Sequence, residues 1–204
     1  RFNDRITGKV NEFAKKAAII HVDIDPASIS RNIVVDIPIV ADAKNAIVAL
    51  LEKTPNYDFV DWKKQIDSWK AKYPIGNIYG AQSKVTPFSI IQEINRVFED
   101  AVITTDVGQN QLWTTQFLEL TDKKQMLTSG GLGTMGYGLP ASIGAKIGNP
   151  DKDVIAICGD GGIQMNIQEM ATAVVYELPV IICILNNGYL GNVRQWQEMF
   201  YKKR

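Results

Sequence analysis

The chain has 204 residues, of which 46% are hydrophobic, and its 22 basic residues are balanced by 22 acidic ones. This balance argues against a polybasic face for nucleic acid or an anionic membrane surface. No apolar run reaches the ~18 residues of a membrane helix, and no secretory signal is visible, so the sequence indicates a soluble chain with a real core.

Residues 1–54 alternate between strand-like and helix-like patterns, which is typical of the C-terminal part of a doubly wound α/β domain. Residues 55–85 contain several Pro and Gly breakers around one helix, so we expect a connector there. The predicted elements are a helix near Gly8–Lys16, a strand Ala18–Ile24, a turn at Asp25-Pro26, a strand around Ile33–Ile37, a helix Ala43–Lys53 and a helix Asp58–Lys72.

Residues 86–204 are predicted to form a second α/β domain, with a doubly wound parallel sheet and helices on both faces. Cys158 and Cys183 fall in its apolar strands and are expected to be packed thiols. The predicted elements are a helix Pro87–Phe98, a strand Ala101–Thr104, helices Gln109–Phe117 and Met135–Ile147, a strand Asp153–Cys158, a helix Ile163–Tyr176 and a strand Val180–Leu185.

Two polar turns, GDGG at 159–162 and NNGY at 186–189, each follow an apolar strand. Strand, helix and strand form a βαβ unit, so both turns are expected at the same carboxyl edge of the sheet, where open α/β sheets bind ligands. Gly159, Gly161 and Gly162 let a phosphate approach the backbone, while Asp160 and Asn187 offer the oxygen ligands that Mg²⁺ prefers. The pair predicts a site for a divalent metal and a diphosphate, although either motif alone is often only a turn.

Four further stretches make the interpretation more specific. They are RFNDRITG at 1–8, TDVGQNQLW at 105–113, TSGGLGTMGYGLP at 128–140 and GYLGNVRQW at 188–196. With the two turns, they resemble the large, catalytic subunit of acetohydroxyacid synthase (acetolactate synthase), a thiamine diphosphate (ThDP) enzyme. The resemblance covers almost the whole chain and implies a ThDP-binding fold. Members of that family are several hundred residues long, so we expect a piece that covers the end of an FAD-binding middle domain and most of the C-terminal domain.

The resemblance implies an activity and partners. Such a subunit decarboxylates pyruvate on ThDP and joins the two-carbon unit to pyruvate or 2-ketobutyrate, in branched-chain amino acid biosynthesis. It works as a homodimer or tetramer with a small regulatory subunit, without nucleic acid or membrane, in the cytoplasm or, in a eukaryote, in a plastid or mitochondrion. The glutamate that activates the cofactor belongs to a domain not represented here, so we expect the fragment alone to be inactive.

The resemblance also implies which residues form the site. Met135 would be the apolar support beneath the bent cofactor, and Arg5 and Trp196 would form the substrate pocket. Mg²⁺ would be held by Asp160, Asn187 and the backbone carbonyl of Tyr189. The residues implied in ThDP binding are Val107, Gly108, Gln109, Asn110, Gly133, Met135, Gly159, Asp160, Gly161, Gly162, Asn187, Tyr189, Leu190 and Gly191.

Three positions depart from the family pattern: Asn110 replaces a usual His, Asn192 a usual Met, and Asn3 a usual Asp. Asn110 can still donate a hydrogen bond but carries no charge. The residues implied in FAD binding are Arg1, Asp23, Ile24 and Asp42.

Alternative interpretations remain. Asp42 is equally suited to capping a helix. A different ThDP-dependent decarboxylase or oxidase is a rival, although RFNDRITG and RQW argue against it. A nucleotide-binding module without catalysis is a second rival, but the G-x-G-x-x-G turn that it predicts after the first strand is absent. His21 lies beside Asp23 and Asp25, yet this strand supplies no third metal ligand.

Overall fold

The computed structural model describes residues 2–55, 57–74 and 85–204. The chain divides into two compact units, residues 1–68 and 69–204, and the division falls inside one helix. No helix among the described residues is both long and apolar enough to cross a bilayer.

The first unit contains a two-stranded parallel sheet. Ile20 of one strand lies opposite Ile37 of the other, and the pairing ends with Asp23 opposite Val40. The elements are α1 (Asp4–Thr7), β1 (Ile20–Asp23), β2 (Ile37–Val40), α2 (Ala43–Lys53) and the start of α3 (Val60–Lys72), with 3₁₀ turns at Val10–Glu12 and Pro26–Ser28.

The sequence-based elements of this unit are partly wrong. The helix predicted near Gly8–Lys16 is only a 3₁₀ turn, because Gly8 (φ 56°) and Ala14 (φ 47°) take left-handed backbone conformations that end a helix. The strand predicted around Ile33–Ile37 begins only at Ile37, since Ile33 is buried without pairing to β1. The helix Ala43–Lys53 is confirmed at both ends.

The second unit is built on a four-stranded, fully parallel sheet with the order β4-β3-β5-β6. The short strand β4 was not predicted, because its four residues are half exposed and show no clear pattern. The elements are α4 (Pro87–Val97), β3 (Ala101–Thr105), α5 (Gln109–Phe117), β4 (Gln125–Thr128), α6 (Gly138–Gly148), β5 (Asp153–Gly159), α7 (Asp160–Met165), α8 (Met170–Val175), β6 (Ile181–Leu185) and α9 (Gly191–Phe200).

Helices cover both faces of this sheet, which confirms the predicted fold class. Alternate residues of β3 and β5 point to opposite faces, as the pleat requires. One face packs Ile103, Ile155 and Ile157 against α4 and α5, and the other packs Ala156 and Cys158 against α6 and α7. The core therefore lies around the two central strands, whose carboxyl ends it holds in fixed positions.

The two cysteines are packed thiols, as predicted, and form no disulfide. Cys158 is fully buried, and desolvation, with a smaller effect of the Asp106 charge, raises its pKa from 9.0 to about 12. Burial also raises the pKa of Cys183. Neither thiol is therefore suited to act as a nucleophile near neutral pH.

Two predicted helices of this unit have different bounds. The helix expected over Ile163–Tyr176 is broken at Asn166 (φ −133°), so that α7 and α8 are separated by a 3₁₀ turn at Ile167–Glu169. The helix expected from Met135 begins only at Gly138, because Gly136 has φ 86°, which is incompatible with a right-handed helix. Both differences concern the loop 129–137: Met135 and Gly136 belong to it, and Asn166 is hydrogen-bonded to Gly136.

Candidate functional site

The carboxyl ends of β3, β5 and β6 meet at one edge of the sheet. From β3 the chain continues to β4 on one side and then crosses to β5 on the other, so the gap between β3 and β5 is the topological switch point. Open α/β sheets bind ligands at this point. A cleft of about 200 Å³ lies there.

The cleft brings together every residue that the sequence associated with ThDP. It is also lined by Asn192, where the family pattern has a Met, and by Trp113, Leu185 and Val193, which the sequence did not identify as site residues. The predicted residues that line it are Val107, Gly108, Gln109, Asn110, Gly133, Met135, Gly159, Asp160, Gly161, Gly162, Asn187, Tyr189, Leu190 and Gly191.

The GDGG turn passes directly from β5 into α7, and its last two residues, Gly161 and Gly162, have no room for side chains. A Cβ atom at Gly161 would lie 2.6 Å from Leu190 Cδ2, and one at Gly162 would lie 2.8 Å from the Asp106 carboxyl carbon. The backbone of the turn is therefore open to the cleft. Opposite it, α5 begins after Gly108 without a side-chain cap, so its first N–H groups also remain available to an anion.

Asp160 and Asn187 are the oxygen-bearing side chains at the ends of β5 and β6. Asp160 is half-buried, and its carboxylate has no hydrogen bond or ion pair within the described ranges. Asn187 Oδ1 accepts a hydrogen bond from the Tyr189 N–H at 3.0 Å, and its Nδ2 donates to Gln109 Oε1 at 3.0 Å. The Asn187 oxygen keeps a second lone pair for a further partner.

No group of three or more His, Cys, Asp or Glu side chains that could hold a metal occurs among residues 2–55, 57–74 and 85–204. The cleft is nevertheless lined by Asp160, Asn187 and Tyr189, which offer a carboxylate, an amide oxygen and a backbone carbonyl, all of them hard oxygens. Such a set suits Mg²⁺, which takes few ligands from protein and the rest from phosphate and water.

Asn110 is buried, with only 3% of its surface exposed. Its Nδ2 donates to the carbonyls of Asp106 and Ile157, both at 3.0 Å. These two acceptors fix the orientation of the amide, because only the Asn110 nitrogen, and not its oxygen, can donate to a carbonyl. The two hydrogen bonds link the residue that follows β3 to β5. Asn110 Oδ1 is the atom that faces Gly108 and Gly159.

Asp106 is the site residue that the sequence interpretation missed. Its carboxylate is fully buried and accepts three backbone hydrogen bonds, from Val107 at 2.8 Å, Gly136 at 3.0 Å and Gly138 at 2.9 Å. Three N–H donors compensate a buried carboxylate without a cation. The available signal was a carboxylate placed directly after the strand AVITT, in TDVGQ.

Met135 lies in the loop between β4 and α6 and is half-buried at the cleft. The next residue, Gly136, is held on both sides of its backbone. Its N–H donates to Asp106, and its carbonyl accepts from Asn166 Nδ2 at 2.8 Å. The position of Met135 is therefore set by the residue that follows it.

The residues assigned to the substrate pocket are not all in the cleft. Asn192 lines it. Trp196, one turn further along α9, is 60% exposed and is not among the described lining residues. Its ring makes a tilted contact with Phe200, with 5.2 Å between the ring centroids. Arg194 lies 3.9 Å above the Tyr189 ring. The backbone of Arg5 belongs to α1, while its side chain lies outside the described part of the chain.

A separate cavity of about 460 Å³ lies in the first unit. Asp23 lines it, whereas Ile24 is 72% exposed and Asp42 caps α2 by accepting from the N–H groups of Lys44 and Asn45. Arg1 lies outside the described residues. The residues lining this cavity are Phe2, Asn3, His21, Asp23, Ser28, Arg31, Asn32 and Ile33.

Comparison with known proteins gives a consistent result. Residues 106–204 match the thiamine pyrophosphate enzyme C-terminal TPP binding domain, and residues 1–50 match the central domain of the same enzymes. Acetolactate synthase large subunits from Porphyra purpurea and Corynebacterium glutamicum are 43% and 45% identical to this chain, in alignments that cover its whole length. The isozyme 3 large subunit of Escherichia coli is 42% identical. The chain spans about a third of the length of these relatives, between 34% and 37%.

Proposed function

We propose that the chain forms part of the catalytic large subunit of an acetolactate synthase. Its two units match the central domain and the C-terminal domain of the thiamine pyrophosphate (ThDP) enzymes, and the chain belongs to this family. The proposed reaction removes CO₂ from pyruvate and joins the remaining two-carbon unit to pyruvate or 2-ketobutyrate. The observation that carries this proposal is the convergence of the GDGG and NNGY turns, the α5 N-terminus and Met135 on one cleft.

The residues of the cleft fit ThDP and Mg²⁺. Asp160, Asn187 and the Tyr189 carbonyl would hold the metal, since all three offer hard oxygen atoms. The diphosphate would be held by the GDGG turn, where Gly161 and Gly162 leave no room for side chains, and by the first N–H groups of α5. When bound, ThDP supplies the nucleophilic carbon and the electron sink that decarboxylation requires.

The protein contributes position and environment. Met135 would support the cofactor in its bent shape, which is a contribution of proximity and orientation. Leu190 would close the cleft over the diphosphate, because its side chain already packs on Gly161. Trp196 would select the second 2-ketoacid, and the Arg5 guanidinium would bind a substrate carboxylate.

The first unit would bind FAD at the cavity next to Asp23, with further contacts from Arg1, Ile24 and Asp42. Asp42 can make such a contact while capping α2, since a carboxylate has about four acceptor sites. We also propose that the subunit forms a homodimer or tetramer and binds a small regulatory subunit. Its compartment would be the cytoplasm, or a plastid or mitochondrion in a eukaryote.

The test is a product assay on the intact subunit with pyruvate, ThDP, Mg²⁺ and FAD. Acetolactate should accumulate, and acetohydroxybutyrate should appear when 2-ketobutyrate is added. Free acetaldehyde, or oxygen consumption that matches pyruvate loss, would instead identify a decarboxylase or an oxidase. Residues 1–204 alone should form no acetolactate, because the activating glutamate is not among them.

A further inference from the structure

Four hydrogen bonds anchor the C-terminal end of the loop 129–137 and the first residue of α6. Asp106 accepts from the N–H groups of Gly136 and Gly138, Asn166 Nδ2 donates to the Gly136 carbonyl, and Thr104 Oγ1 donates to the Gly138 carbonyl at 2.8 Å. Because Gly136 directly follows Met135 and Gly138 lies three residues after it, these bonds limit where the Met135 side chain can lie.

The fit around Asp106 is tight. A Cβ atom at Gly138 would lie 2.8 Å from the Asp106 nitrogen and 2.9 Å from Cys158 Sγ, and one at Gly162 would lie 2.8 Å from the Asp106 carboxyl carbon. The carboxylate is thus enclosed by the loop on one side and by α7 on the other. Both carboxylate oxygens accept hydrogen bonds from backbone N–H groups, so the Asp106 side chain and the loop hold each other in a single relative orientation.

Asn166 explains the break between α7 and α8. In a continuous helix, Asn166 would have helical backbone angles. With φ −133° its backbone leaves the helix, and its side-chain amide reaches the Gly136 carbonyl of the loop. A Cβ atom at Gly136 would lie 2.7 Å from Asn166 Nδ2, so the two residues are in close contact. The break therefore supplies the second fixed point for the residue after Met135.

We propose that Asp106 and Asn166 are a pair of positioning residues that hold Met135 at the correct depth in the cleft. The inference rests on the proposed function, in which Met135 supports ThDP. Neither residue is among the described residues that line the cleft, so both act through the loop. Disturbing either should leave the diphosphate and metal contacts intact but place the reactive ring wrongly.

The experiment uses the intact subunit and the variants Asp106→Asn and Asn166→Ala. The control is Asn149→Ala, which removes an equivalent part-buried bond, Asn149 Nδ2 to the Ala145 carbonyl at 3.0 Å, at the end of α6. Three quantities are measured: the Kd of ThDP with Mg²⁺ by calorimetry, the rate of hydrogen–deuterium exchange at C2 of bound ThDP by NMR, and the melting temperature.

We expect the exchange rate to fall by about 10-fold to 100-fold in both variants, which is typical of small displacements at a reacting centre. The Kd of ThDP should stay within about threefold of wild type, because its phosphate and metal contacts are unchanged. The control should match wild type in exchange and Kd, whatever its melting temperature.

Wild-type exchange rates in folded variants, or an equal loss in Asn149→Ala, would overturn the positioning role. If Asp106→Asn does not fold, Asn166→Ala decides, since it removes only two hydrogen bonds from a half-buried side chain, one to the Gly136 carbonyl and one from Gln168 Nε2. A wild-type protein that does not bind ThDP at all would refute the proposed function instead, and the two failures are thereby distinguished.

Discussion

Adding one methyl group at Gly162 should destabilise the protein strongly. Gly162 lies in α7 with an ordinary helical backbone, where Ala is normally preferred over Gly. Its new Cβ would, however, lie 2.8 Å from the carboxyl carbon of Asp106 and even closer to Oδ1 of that residue. This oxygen accepts the N–H groups of Val107 and Gly136, so it cannot move without losing them.

The cost follows from these contacts. Overpacking a core typically costs about 1–3 kcal/mol, and a weakened hydrogen bond to a buried charge costs about 1.5–3 kcal/mol. The gain in helix propensity returns only about 1 kcal/mol. We therefore expect Gly162→Ala to lower the free energy of unfolding by about 1.5–5 kcal/mol.

Gly144→Ala is the matched control. Gly144 lies in α6, and a Cβ atom there would meet no atom within 4 Å. This variant should raise the free energy of unfolding by about 0.5–1 kcal/mol. Urea denaturation followed by circular dichroism measures both. Equal effects of the two substitutions would refute the tight enclosure of Asp106.

Three more predictions follow from the same geometry. Asp160→Asn should weaken Mg²⁺-dependent ThDP binding by at least about tenfold, as seen by calorimetry, and unchanged affinity would exclude Asp160 as a ligand. Cys158, with its pKa raised to about 12, should resist iodoacetamide at pH 8 until urea is added. The thiol ionises at a lower pH in the unfolded chain than in the folded one, so the free energy of unfolding should fall as pH rises from 9 toward 12. A free energy of unfolding that does not change over this range would contradict the raised pKa. Trp196→Ala should change stability by less than about 0.5 kcal/mol, since the side chain is exposed; from its proposed role in selecting the second 2-ketoacid, it should alter the ratio of acetolactate to acetohydroxybutyrate in the intact subunit, and an unchanged ratio would exclude that role.

The turns that form the cleft could be predicted from sequence because their signals are local. An apolar strand followed by GDGG or NNG indicates both the strand end and the chemistry of the side chains there. Parallel pairing then follows from the βαβ connection, and it brought Asp160 and Asn187 to the same edge of the sheet.

The bounds of the loop 129–137, which contains Met135, could not be predicted, because the residues that anchor it are far from it in the sequence. Asp106 contacts Gly136 and Gly138, and Asn166 contacts Gly136, each across about thirty positions. Helical periodicity through Met135 and through Asn166 favoured continuous helices in both places. Long-range hydrogen bonds overrode that local preference, and the buried role of Asp106 was missed for the same reason.

The most direct test of the central claim is a calorimetric titration of the intact subunit with ThDP, in the presence and absence of Mg²⁺. We expect ThDP binding that requires Mg²⁺ and is lost in a double variant, Asp160→Asn with Asn187→Ala. Binding of ThDP that is independent of both the metal and these side chains, or binding of NAD in its place, would contradict it.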